Sequence, residues 1–141
     1  MSIFIGGTGS ANELDDYEEG SFTPTVFGTN IGGYNEQYGK YVKIGKLVTV
    51  NIRMRFSANT NSNNAFGVAG LPFTSAGNEG DTYGSGGITY CDIPLNNANF
   101  DPYITNNSTL IYFYQKITGD AIYLASNCSN KYLGLAAFYY V

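Results

Sequence analysis

Histidine and tryptophan are missing from this 141-residue chain, which holds only two cysteines and four prolines. Without histidine no Ser-His-Asp or Cys-His triad can be built, and the commonest transition-metal ligand is gone. Cys91 and Cys128 are too few for a disulfide framework, and both are expected as free, partly buried thiols. The glycine cluster Gly84-Ser85-Gly86-Gly87 lacks the lysine and the following helix of a phosphate-binding loop. Charge is scarce as well, at 13% of residues, and the net charge of −4 speaks against a nucleic-acid partner. Lys40, Lys43 and Lys46 are spaced by three along a strand and its turn, so they form no basic stripe. No apolar run approaches the ~20 residues of a membrane span, so no membrane insertion is expected. Met1-Ser2-Ile3-Phe4-Ile5 lacks the basic start of a signal peptide.

Carboxylates remain as possible chemistry. Beyond residue 20 they are Glu36, Glu79, Asp81, Asp92, Asp101 and Asp120, read as solvated or turn-forming acids rather than a glycosidase pair. Asn78-Glu79-Asp81 lacks the ligand spacing of an EF-hand. No enzymatic activity, no cofactor and no metal site are expected.

What the chain has in quantity is Tyr, Phe, Gly and Asn, with 13 Tyr, 9 Phe and 18 Gly. This is the composition of an all-β domain rich in turns. The clearest strand is Val48–Phe56. Val48, Val50, Ile52, Met54 and Phe56 fall on one face, and Thr49, Asn51, Arg53 and Arg55 on the other. Before it, Tyr38–Ile44 turns through Gly45-Lys46 as a tight hairpin with glycine first. Further strands are expected over 21–27, 65–73, 88–95, 109–117, 121–126 and 132–141. Pro24 inside the first of these implies an edge or a strand end. About eight strands with frequent turn signals indicate an antiparallel β-sandwich, jelly-roll-like. The strands over 109–117 and 132–141 are apolar on both faces, which one thin sandwich cannot cover; a second subunit would supply the missing layer. Tyr112, Tyr114, Phe138 and Tyr140 are the expected interface residues.

The chain divides into a linker over residues 1–19 and a head over 20–141. Their junction is Leu14-Asp15-Asp16-Tyr17-Glu18-Glu19-Gly20, followed by Phe22-Thr23-Pro24. This junction resembles the opening of the C-terminal head domain of tailed-phage tail fibres, with Phe22 where Trp is common. Tyr41-Val42-Lys43-Ile44-Gly45-Lys46-Leu47-Val48 and Leu71-Pro72-Phe73 are similar to further pieces of that family's pattern, and Phe138-Tyr139-Tyr140-Val141 to its terminal strand. The likeness is specific over residues 12–73 and weak over 74–132. Met1 stands close before the junction, which fits a fragment or a short separate chain. The resemblance implies a homotrimeric receptor-binding head at the fibre tip of a virion, made in the bacterial host cytoplasm. Its target would be a host cell-surface glycan or outer-membrane protein. A structural trimerisation cap without receptor contact and a free-standing carbohydrate-binding module are the alternatives.

Strand parity locates the expected binding surface. Odd strands of an antiparallel fold run outward from the junction, so loops 28–37, 57–64, 96–108 and 127–131 fall at the far tip. Asn side chains pair a donor with an acceptor, as vicinal sugar hydroxyls require, and aromatic rings stack on pyranose faces. Tyr34, Asn61, Asn63, Phe100, Tyr103 and Asn106 are therefore the candidate receptor-binding residues.

Overall fold

The computed structural model describes residues 3–4, 13–14, 16–28, 31–59, 65–77, 84–96, 99–115, 118, 120, 122 and 128–141. They form eleven strands: β1 (Ile3–Phe4), β2 (Glu13–Leu14), β3 (Tyr17–Phe22), β4 (Thr25–Phe27), β5 (Ile31–Ile44), β6 (Leu47–Asn59), β7 (Gly67–Ala69), β8 (Gly84–Cys91), β9 (Phe100–Ile104), β10 (Leu110–Gln115) and β11 (Tyr132–Tyr140). Short β1 and β2 pair with each other. The other nine make one antiparallel sheet in the order β3-β5-β6-β11-β8-β9-β10-β7-β4.

Pro24 explains the shape of this sheet. The segment expected as one strand over 21–27 is two, β3 and β4, interrupted at Thr23-Pro24. Proline has no N–H to give to a ladder, so it sits where pairing ends. β3 and β4 are the two opposite edges of the nine-stranded order, yet only two residues separate them. The sheet must curl until its edges meet. Contacts across the meeting point confirm the closure: Gln37 Nε2 donates to the Pro24 carbonyl at 2.8 Å, and the Val26 N–H donates to the Tyr34 hydroxyl at 2.7 Å. The result is an all-β, antiparallel, half-barrel-like sheet with one interior. Five strands, β3-β5-β6-β11-β8, form its long half; four, β9-β10-β7-β4, form its short half.

The interior follows the alternation of β6. Val48, Val50, Ile52, Met54 and Phe56 are all at most 3% exposed. Burying such side chains stabilises by about 1.5–3 kcal/mol each, as an upper bound. From β11 they meet Leu133, Leu135, Ala137 and Tyr139, and from the short half Val68, Ile104, Ile111 and Phe113. Phe113 stacks on Phe66 at 5.3 Å and meets Phe100 edge-on at 5.4 Å. The Tyr139 hydroxyl accepts the Phe73 N–H at 3.3 Å. Burial pushes that phenol up to about 12.

Gly45 has φ +56 while Lys46 keeps negative φ, the pattern of a turn with glycine first. The Gly45 N–H donates to the Asp16 carbonyl, and the Val141 N–H to the Lys46 carbonyl, both at 2.9 Å. The chain's entry, the β5–β6 hairpin and the last residue therefore lie at one end of the sheet, here called the entry end.

Other sequence expectations need correction. The sheet begins at Tyr17, three residues before the expected head boundary. Most of 28–37 is strand rather than loop, because β6 runs on to Asn59 and offers a partner; the register slips near Gly33 and Tyr34. The strand expected over 65–73 shrinks to Gly67–Ala69, ended by Gly70 at φ +88. Residues 84–87 open β8 instead of lying in a loop. Gly84 and Gly86 lie close against β11: a Cβ on Gly86 would stand 2.3 Å from the Ala136 carbonyl oxygen, and one on Gly84 2.7 Å from that of Phe138. Most decisively, loop 96–108 contains β9, a strand with buried Phe100, Pro102 and Ile104 alternating with Asp101 and Tyr103. Of the strand expected over 121–126, only Ile122 is described; it is fully buried, and its N–H donates to the Phe113 carbonyl at 3.1 Å.

Candidate binding face

β9 breaks the parity argument for the tip. The head of β9 lies at the far end, with Phe100, but its tail and the following turn lie at the entry end, with Tyr103 and Asn106. The four candidate residues that are described, Tyr34, Phe100, Tyr103 and Asn106, are thus not brought together. Phe100 is a core side chain, 9% exposed. Tyr34 is half-buried, holds Val26 across the closure and packs on Phe56 at 5.9 Å. Tyr103 packs edge-on against Tyr114 at 5.7 Å. Asn61 and Asn63 lie outside the described residues. The four expected interface residues also divide. Tyr112 and Tyr114 stand on the short half, Phe138 and Tyr140 on the long half.

On the short half the outer aromatics are consumed by one another. Phe27, Gly67, Tyr112 and Tyr103 form one cross-strand row over β4, β7, β10 and β9. The Phe27 ring lies over Gly67, where a Cβ would come within 2.4 Å of it. The same ring meets Tyr112 edge-on at 5.1 Å. Each tyrosine of the row ends half-buried.

The long half differs. Register places Tyr17, Ile44, Leu47 and Tyr140 in the row nearest the entry end, then Glu19, Val42, Thr49 and Phe138, then Ser21, Lys40, Asn51 and Ala136. Beyond them come Tyr38, Arg53, Gly134 and Tyr90, and finally Glu36, Arg55 and Tyr132. All six exposed large hydrophobic side chains among the described residues, Tyr17, Tyr38, Ile44, Tyr90, Phe138 and Tyr140, point outward from this half. So do both arginines of the chain.

A trough runs through the upper rows. Its floor is Gly134, which alone would let the Thr89 hydroxyl approach: a Cβ there would be 2.7 Å from it. The ladder between β8 and β11 shifts register between Gly134 and Leu135, leaving Thr89 as the extra residue. A bulge of this kind turns two successive side chains to one side, and both Thr89 and Tyr90 are exposed. On the far wall, Tyr90 meets Tyr132 edge-on at 6.3 Å. The guanidinium groups of Arg53 and Arg55 lie 5.3 and 5.2 Å from the centre of the Tyr132 ring. Glu36 braces both, at 3.0 Å from Arg53 and 3.8 Å from Arg55. The Tyr132 N–H is fixed by Asp92 Oδ1 at 2.6 Å, and Asp92 also faces Lys131 at 3.8 Å. Two adjoining hollows of about 390 and 300 Å³ share Arg53 and Thr89. A third, of about 510 Å³, lies lower on the same face between Glu19 and Lys40. It is the larger but has no exposed aromatic on its wall, so the upper trough is the better ligand site.

Period-two reading found Arg53 and Arg55 as outward residues but could not find Tyr38, Thr89, Tyr90 or Tyr132 as their neighbours. The bulge at Thr89 has no signal in the sequence. Among the described residues no cluster of three Cys, Asp or Glu side chains is arranged to hold a metal ion. Neither cysteine is in a disulfide; Cys128 is buried and Cys91 partly so. Burial pushes the Cys128 thiol up to about 11 and raises that of Cys91.

No protein-family model, curated protein or solved structure matches this chain.

Proposed function

We propose that this domain is the non-catalytic, receptor-recognising head of a phage tail fibre, jelly-roll-like and assembled as a homotrimer. The observation that carries the reading is the outer face of the long half: every exposed large hydrophobic side chain of the described residues and both arginines gather there. A protein that needed only to fold would cover such a face or make it polar. The resemblance of the junction and of Leu71-Pro72-Phe73 to fibre heads supports the same reading.

The face divides by height. The row of Tyr17, Ile44, Leu47 and Tyr140, with Phe138 above it, sits at the entry end, where a stalk would hand over to the head. It is the better candidate for contact between subunits, and of the four residues expected from sequence it keeps Phe138 and Tyr140. The trough around Arg53 lies about 20 Å farther along β6. At that distance from the entry end it is suited to a host glycan or outer-membrane protein. Three copies would multiply a weak single-site affinity.

The test is the purified chain on an array of bacterial surface glycans and on intact cells of a strain panel, with sedimentation in parallel. Retention on cells or glycans without turnover, by a trimer, is expected. A monomer that binds nothing, or glycan cleavage lost in Asp→Asn variants, would overturn the reading. A trimer that binds nothing would favour a structural cap instead.

A further inference from the structure

The trough has a charge opposite to that of the protein. The chain carries −4 overall, yet the only two arginines stand side by side here and share one internal acid, Glu36. Lys40 is on the next row, beside Tyr38 on the same strand face. Arg53 remains 60% exposed despite its contact with Glu36, and Tyr38 and Tyr90 on either side are 62% and 58% exposed. Tyr38, Arg53, Gly134 and Tyr90 occupy four adjacent strands of one row. Strand spacing therefore sets the two tyrosines about 14 Å apart at the backbone, with the Arg53 guanidinium and Gly134, under the Thr89 hydroxyl, between them.

We propose that this trough binds an acidic sugar, a uronic-acid unit of a surface polysaccharide. The inference rests on the receptor-recognition reading of the face and names its ligand class. Each part of such a sugar has a counterpart. Successive rings of the polysaccharide match Tyr38 and Tyr90, which stand too far apart to flank a single ring, and the hydroxyls match Thr89 and Asn51. The carboxylate matches the planar fork of Arg53, which pairs two oxygens at once where a lysine offers a point charge. The Glu36 carboxylate and the Tyr132 ring hold Arg53, so little side-chain freedom is lost on binding. A polyphosphate backbone would need a longer row of cations than Lys40, Arg53 and Arg55 offer, with Glu36 already paired to both arginines.

The experiment uses the intact chain against trigalacturonate, trimannuronate and glucuronate-containing oligosaccharides. Each is paired with its carboxyl-reduced neutral counterpart, at low and high salt. At least one acid is expected to bind about ten-fold or more tightly than its reduced partner. Arg53→Gln should erase that preference, Arg53→Lys should restore it only in part, and Tyr90→Ala should weaken acid and neutral forms alike. Arg53 is exposed, so these variants are expected to fold, and thermal melting checks that they do. Equal binding of acids and reduced counterparts, or a preference that survives Arg53→Gln, overturns the acidic-sugar inference and leaves receptor recognition standing. Adhesion to cells with every oligosaccharide blank also overturns it. Failure to bind cells or any sugar overturns both.

Discussion

The two outer faces of this sheet have similar aromatic content and different fates. On the short half, Phe27 meets Tyr112 and Tyr103 meets Tyr114 edge-to-face at 5.1 and 5.7 Å, Tyr112 and Tyr114 lie tilted at 6.2 Å, and all are left half-buried. On the long half, Tyr38 and Tyr90 stand on either side of Arg53 and Gly134, more than half exposed. The difference lies in what fills the gaps between them. Gly67 on the short half lets Phe27 lie down across the row; Gly134 on the long half admits only a Thr89 hydroxyl and leaves the trough open. Counting tyrosines per strand cannot separate a face whose rings cover one another from one whose rings stay exposed.

The largest effect should come from Gly67→Ala. A Cβ there meets the Ile111 carbonyl oxygen as well as the Phe27 ring, each within 2.4 Å. The backbone cannot yield as a side chain can, so a loss of about 3 kcal/mol or more is expected in denaturant unfolding. Tyr112→Ala comes next. It removes edge contacts to Phe27 and a neighbour of Tyr114, and should cost about 2 kcal/mol by the same assay.

Tyr139→Phe probes the interior that both halves share. It leaves the part-buried Phe73 N–H without its acceptor, at a cost of about 1–2 kcal/mol. It also changes the response to base. The Tyr139 phenol is raised from 10.0 to about 12 in the folded chain. The folded state therefore holds its proton more tightly than the unfolded state between those values. The stability it confers is complete below pH 10 and is lost as pH rises toward 12. Unfolding followed over that window should show a shallower decline in Tyr139→Phe than in the parent. The smallest effect should be that of Lys43→Ala, which removes an ion pair to the half-exposed Asp16; less than about 1 kcal/mol is expected.

The same contrast shows how far the sequence could be read. Strand β6 was legible because its inward residues are large and apolar and its outward ones polar. The Gly45-Lys46 hairpin and the meaning of Pro24 were legible because each depends on local backbone chemistry. β9 was not, because Asn, Asp and Pro around Phe100–Ile104 imitate a loop, and only pairing with β10 at long range makes a strand of them. The stretch before Ile88 hides the start of β8 for a related reason: Gly84 and Gly86 are set by the closeness of β11, not by their own flexibility. One missed strand was enough to scatter Tyr34, Phe100, Tyr103 and Asn106 over the core and both ends of the sheet. The trough around Arg53 joins residues from four strands and a bulge, so no linear pattern announces it.

The claim that the long half is the recognition face is tested most directly by comparing Tyr90→Ala with Tyr112→Ala. Both variants are measured for melting temperature and for adhesion to a strain that the parent chain binds. Tyr90→Ala should melt with the parent, within about 0.5 kcal/mol, and lose most of its adhesion. Tyr112→Ala should melt earlier and keep its adhesion at temperatures where it is folded. The reverse pattern, with adhesion lost in folded Tyr112→Ala and kept in Tyr90→Ala, would contradict the account and move the recognition face to the short half.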